Sequence, residues 1–207
     1  MVFAASANVP MFHLLPFEHL DPGLKASCAA IQTSAIRKQL AVDATRPIDH
    51  YNLALGLMAG GYKVEAIRSL HQAIALDPGY ETAVTALGLL LAESGELDEA
   101  ALRLSEAVRL APGKAAPRKY LGMVERRRGA LDKAVEDLAT ALALAPYDSV
   151  ILSELGIACL QQGRSRQAIN YLTRALKVNP QDKESHYFLQ LAQELGDGQP
   201  VTGLGHQ

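Results

Sequence analysis

The sequence predicts an all-α fold, a helical solenoid of four helix-turn-helix units with a capping helix at each end. Two sets of observations predict it. Prolines recur at Pro78, Pro112, Pro146 and Pro180, and glycines at Gly61, Gly95, Gly129 and Gly163, both at an interval of 34 residues. Columns of small and branched apolar residues keep the same interval: Ala66, Ala100, Ala134 and Ala168; Leu70, Leu104, Leu138 and Leu172; Ala73, Ala107, Ala141 and Ala175; Leu53, Leu87, Leu121 and Leu155. Self-similarity at this period is the signature of supersecondary units that cannot bury their apolar faces alone and stack on one another to do so.

Each column has a mechanical reason. A glycine such as Gly163, between the helical stretches 149–162 and 165–178, can take the positive φ that ends a helix in a tight turn. The prolines cannot continue a helix, so they close each second helix and hand the chain to the next unit. Ala168 and Ala175 lie two turns apart on one face, and Gly156 faces the partner helix. Small residues there let the backbones approach, and larger ones would overpack at roughly 1–3 kcal/mol each.

Residues 1–21 come first, apolar but irregular, with Val9, Met11, Phe12, Leu14, Leu15 and Phe17 interrupted by Pro10 and Pro16. A helix is predicted from Pro22 to about Val42, with Leu24, Cys28, Ile31 and Ala35 at helical spacing. Its Ile36, Leu40 and Val42 fall where a second helix would carry Leu70, Ile74 and Leu76, which reads as a degenerate half-repeat capping the array. The expected division is therefore an N-terminal segment and cap over 1–46 and repeats over 47–80, 81–114, 115–148 and 149–182. Helices are expected at about 48–60 and 63–76, 81–94 and 97–110, 115–128 and 131–144, and 149–162 and 165–178. A C-terminal capping helix is expected over 183–195, where Phe188, Leu191 and Leu195 oppose Lys183, Glu184, Gln190 and Glu194, and a glycine-rich disordered tail over 196–207.

Composition narrows the function classes. At 207 residues and 49% hydrophobic the chain can bury a sizeable core as one elongated domain. A net charge of −2 and a pI near 6.3 give no bias toward nucleic acid or an anionic membrane. Cys28 and Cys159 stand in no metal-ligand or CxxC spacing, which argues against a disulfide framework and suits a reducing, cytoplasmic compartment. The first twenty residues lack the basic start of a signal peptide, and no run approaches the length of a membrane span.

No catalytic or metal constellation outranks a simpler reading, and no cofactor is implied. His13, Glu18, His19 and Asp21 lie close in sequence but are interrupted by proline and match no ligand spacing. Cys159 reads as a small core residue rather than a nucleophile. The run Arg126, Arg127 and Arg128 reads as solvated charge at a helix end, and Glu96, Asp98 and Glu99 as acids favoured by the helix dipole.

The columns of leucine, glycine or alanine, then glycine, alanine, leucine, alanine and proline resemble the tetratricopeptide repeat family over residues 47–180. Gly88, Gly122 and Gly156 fill the small position beside the first leucine, with Ala54 there in the opening copy. The tryptophan usual near the start of the first helix is replaced by His50, Val84, Arg118 and Leu152. The resemblance implies a right-handed solenoid whose concave surface is lined by the second, fifth, ninth and twelfth positions of each first helix. Carried over, the fifth positions are Tyr51, Thr85, Lys119 and Ser153, with Tyr187 in the last helix. The ninth are Leu55, Leu89, Met123, Ile157 and Leu191, and the twelfth Met58, Ala92, Arg126 and Leu160.

The expected groove is thus an apolar stripe with a basic island at Lys119 and Arg126, both projecting into solvent. The alternative for the ninth positions is packing between repeats. The carboxylate clamp of heat-shock co-chaperones is absent, its positions holding Tyr51, Leu55, Ala86, Ala116 and Tyr120. The resemblance and the groove together imply a non-enzymatic interaction scaffold, adaptor or assembly factor that takes an apolar helix or peptide of a protein partner, with no nucleic acid and no membrane span. The alternative is a structural subunit that self-associates or sits permanently in a larger complex. Residues 1–21 are expected in the groove, against the N-terminal cap, or on another subunit.

Overall fold

A computed structural model of the chain describes residues 33–195. The expectations for residues 1–21, for the helix start at Pro22 and for the tail at 196–207 lie outside the described residues. The backbone divides into two compact units, the first ending at Ala83 and the second beginning at Val84. All regular structure among the described residues is helical.

The first unit contains α1 (residues 33–42), α2 (Pro47–Ala59) and α3 (Lys63–Leu76), and the boundary falls early in α4 (Glu81–Glu93). Pro47 opens α2 with a φ suited to a first helical turn and no lost hydrogen bond. Asp49, buried in that turn, accepts from Gln39 Nε2 at 3.1 Å and pairs with Arg46 at 3.5 Å, which ties α1 to α2. Leu53, Ala54 and Leu57 of α2 are buried, as are Ala66, Leu70 and Ala73 of the adjoining α3. Val42, read with Ile36 and Leu40 as part of a degenerate half-repeat, is 91% exposed at the last residue of α1, and its counterpart Leu76 at the end of α3 is exposed as well.

The second unit continues through α5 (Leu97–Leu110), α6 (Ala115–Arg127), α7 (Leu131–Leu144), α8 (Ser149–Gln161), α9 (Ser165–Val178) and α10 (Lys183–Glu194). The helices from α2 to α10 start and stop within about one residue of the positions expected from the periodicity. Each helix from α5 onward packs on the next, and α6, α8 and α10, the first helices of their repeats, also touch one another in order. Within the second unit these first helices therefore form one layer, and the second helices pack on it.

Local chemistry explains the bounds. Gly61, Gly95, Gly129 and Gly163 have φ of 79°, 85°, 79° and 74°. In each case the next residue turns its N–H back five positions, as Tyr62 does to Leu57 O and Arg164 to Cys159 O, both at 2.9 Å. This double-bonded turn satisfies the carbonyls that a helix end orphans. At the other end of each repeat, Asp77, Ala111, Ala145 and Asn179 leave the helical region, with ψ of 94°, 69°, 76° and 88°. Each precedes a proline, whose ring disfavours the helical region for the residue before it.

The small-residue columns are contact points. An added Cβ on Gly88, Gly122 or Gly156 would come within 2.7, 2.6 or 2.5 Å of the Cγ of Leu104, Leu138 or Leu172. Those leucines and the flanking alanines Ala100, Ala107, Ala134, Ala141, Ala168 and Ala175 are completely buried. The helix pairs are close because the residues between them are small.

Candidate interaction surfaces

The first helix of each repeat presents the candidate binding positions. In the first unit, Tyr51, Leu55 and Met58 of α2 are all half-buried. Tyr51 lies against Tyr80, with ring centroids 5.4 Å apart and planes tilted by 59°. Burial, followed by the neighbouring Tyr51 and Asp77, pushes the Tyr80 hydroxyl up to about 12, so it stays a neutral hydrogen-bonding group. Burial, with Glu81 adding to it, raises Tyr51 in the same direction.

In the second unit the positions separate into open and sealed sets. Leu89, Met123 and Leu191 are half-buried, and Tyr187 is 59% exposed with its ring edge-on to Phe188 at 5.2 Å. Thr85 and Ser153 are buried, and Ser153 Oγ accepts from Ser185 Oγ at 2.9 Å. Ile157 and Leu160, expected in the groove, retain 1% and 0% exposure and belong to a core cluster with Cys159, Ala168, Leu172, Phe188 and Ala192. For Ile157 the packing alternative therefore holds, and Leu160 joins it because the last turn of α8 faces α9 and α10.

The basic island also differs from expectation. Arg126 Nε donates to Glu154 Oε2 at 2.8 Å, and both side chains are buried, at 4% and 8% exposure. Lys119 Nζ reaches Asp148 Oδ2 at 3.0 Å. Burial alone would raise the Asp148 carboxyl, but the Lys119 bond and the N–H donors of Ile151 and Val150 at the start of α8 outweigh it and hold the group below its ordinary value. Neither cation projects freely into solvent. Each is consumed by an acid 28 or 29 residues downstream, on or just before the next first helix. The signal was present as an acid a little less than one period after a base, but nothing in the periodicity distinguishes such a pair from two solvated charges.

The run of three arginines likewise divides. Arg128 grips Asp98 of the preceding repeat at 2.6 Å and its own helix's Glu125 at 2.8 Å, while Arg127 is exposed. An equivalent cross-repeat bond lies one period on, where Gln162 Nε2 donates to Asp132 Oδ1 at 2.8 Å. Cys159 is buried, and burial raises its thiol against the opposing pull of Arg164, which leaves it an unreactive core residue. Among the described residues no helix is long and apolar enough to cross a membrane.

Tetratricopeptide repeat family models match residues 51–115 and 114–181. No curated protein matches the sequence. Among solved structures, MamA aligns at 26% identity over 72% of this chain and 86% of its own, with a TM-score of 0.67. YrrB, a TPR protein with an unusual peptide-binding site, aligns at 19% identity over 84% of this chain and 89% of its own, also at 0.67. PilF of Pseudomonas aeruginosa aligns at 19% identity over 84% and 83%, at 0.71. The periodic columns, the glycine turns, the alanine and leucine contacts and the matched models agree, and the chain belongs to the tetratricopeptide repeat family.

Proposed function

We propose that this chain is a non-enzymatic, cytoplasmic scaffold that takes an apolar helix or extended segment of a partner protein on the open positions of its first helices. The observation that carries this reading is the set of apolar side chains left accessible in the second unit, Leu89, Met123, Leu191 and Tyr187, on helices whose other groove positions are sealed. Tyr51, Leu55 and Met58 play the same part in the first unit. Half-buried side chains are already ordered by their neighbours, so a partner that covers them gains apolar burial with little further loss of side-chain freedom. The likeness to YrrB, whose solved structure carries a peptide-binding site, supports a peptide or helix as the ligand class.

Peptides selected on the full chain from a random display library test the proposal. They should share two or more apolar anchors, and Leu89→Glu with Met123→Glu should weaken them by roughly a hundredfold, the value of about two buried side chains. Lys177→Glu, at an exposed position away from these helices, should leave them unchanged. Selected peptides that bind the double variant as tightly as the parent would move the site off these helices.

A second reading, self-association or permanent residence in a complex, is favoured by Leu144, Tyr147 and Val150, which are 43%, 84% and 45% exposed around one short connector. A mass that stays monomeric across a light-scattering concentration series removes the self-association form of it.

A further inference from the structure

The turns between first and second helices form a continuous edge in the second unit. Arg128 reaches back to Asp98 at 2.6 and 2.9 Å, and Gln162 reaches back to Asp132 at 2.8 Å, so turns from successive repeats are tied side by side. Donor and acceptor keep the same places in both rungs, one period apart. In the fourth repeat the acceptor position changes sign, Asp98 and Asp132 being followed by Arg166.

Charge along this edge is therefore graded. The second repeat contributes Glu93, Glu96, Asp98 and Glu99 with no cation between them in sequence, of which Asp98 is paired with Arg128 and Glu99 with Arg103. The third contributes Arg127, Arg128 and Lys133 around Asp132, and the fourth contributes Arg164 and Arg166. Several cations of the second unit have their own carboxylates: Arg103 has Glu99 and Glu106, Arg118 has Asp137, Lys119 has Asp148, Arg126 has Glu154, and Arg128 has Asp98 and Glu125. Arg127, Lys133 and Arg164 are exposed and form no ion pair among the described residues. Arg127, Arg128 and Lys133 line a crevice of about 520 Å³ together with Gly95, Leu97, Asp98 and Ala130.

We infer that this edge is a second interaction surface, separate from the apolar positions of the first helices, and that it takes an acidic segment of a partner protein along Arg127, Lys133 and Arg164. Three unneutralised cations held on rigid, mutually tied turns offer fixed charges to carboxylates, and the crevice admits a side chain between the first two. Glu96, exposed on the turn of the second repeat, repels the same ligand and disfavours its extension toward that end. A peptide is favoured over nucleic acid because no aromatic residue is interleaved in 127–133 or 163–167 to stack on bases. Exposed charge contacts are individually weak and screened by salt, so binding depends on several at once and on ionic strength.

The test uses the full chain and a fluorescein-labelled dodecapeptide of glutamate, which when extended spans about 40 Å and so reaches across neighbouring turns. Anisotropy should report binding at about 20 mM salt that weakens several-fold at about 200 mM, with a glutamine dodecapeptide not binding. Combined Arg127→Glu, Lys133→Glu and Arg164→Glu should weaken it about tenfold or more. The combined variant Arg109→Glu, Lys177→Glu and Lys183→Glu makes the same change in net charge at exposed positions away from these turns and should leave affinity within about twofold. Absent binding overturns the inference, as does equal loss in both variants, which would reduce the effect to net charge. Tighter binding of a twelve-nucleotide RNA, lost in the first variant alone, would also overturn it by giving the edge to nucleic acid.

Discussion

Two neighbouring arginines separate the two faces of the second unit. Arg126 stands in the last turn of its helix on the inner layer, where Glu154 of the next repeat meets it away from water. Arg127, one residue on, turns through about 100° of helix and stands exposed at the turn edge. On the inner face of the third and fourth repeats Arg126 and Lys119 are spent on acids of the next repeat and Ile157 and Leu160 lie in the core, while Met123 stays half-open. The turn edge is open, with cations that no described residue neutralises. The same residue type is thus structural on one face and available for binding on the other, and the difference is set by which layer of the stack a helical position meets.

The largest expected effect breaks that comparison directly. Arg126→Ala leaves Glu154 as a buried uncompensated charge and should cost about 3–5 kcal/mol, whereas Arg127→Ala should stay within about 0.5 kcal/mol. Replacing the pair together, Arg126→Met with Glu154→Leu, should recover most of the loss, because removing both charges also removes both desolvation costs. Denaturant unfolding measures all three, and comparable midpoints for the two single variants would erase the distinction between the faces. Charge reversal at Arg126 would therefore disturb the fold before it reported on any partner.

Next in size is overpacking at a helix contact. Ala134→Leu adds volume at a fully buried site where α6 and α7 are in contact, and should cost about 1–3 kcal/mol. Its neighbour on the open edge, Lys133→Ala, should change stability by less than about 0.5 kcal/mol. Gly129→Ala should fall between them at about 1–2 kcal/mol. No atom lies within 4 Å of the added Cβ, so the whole cost is the left-handed conformation at φ 79°. A larger loss at Gly129 than at Ala134 would mean that the turns, and not the contacts, limit stability.

The smallest effect concerns pH. The folded Asp148 carboxyl is held below its ordinary value of 3.8, so its contribution to stability is complete above that value and is lost as the pH falls through the lower folded value. The stability difference between the parent and Asp148→Asn should therefore be constant from neutral pH to about 5 and shrink below it. Lys119→Met should flatten that dependence, since the Lys119 bond is the strongest of the interactions that favour the charged carboxylate. An unchanged acid limb in Lys119→Met would assign the depression to the helix N-terminus alone.

Reading one dimension of the molecule was enough for its local architecture. The glycine and proline columns placed every bounded helix within about one residue, because turn and stop depend on the φ a residue can adopt and on the residue before a proline. The alanine and leucine columns foretold the contacts at Gly122 and Ala134, because close approach needs small side chains whatever the partner. The partition of the candidate groove was decided only by the tertiary structure. Ile157, Leu160 and Arg126 occupy family groove positions yet are buried, while Met123 and Leu89 at matching positions are not. A periodic pattern specifies a backbone that repeats, but burial and ion pairing depend on which side chains from the next turn of the stack reach the same space. Arg126 with Glu154, and Lys119 with Asp148, meet across 28 and 29 residues through side chains that no column records.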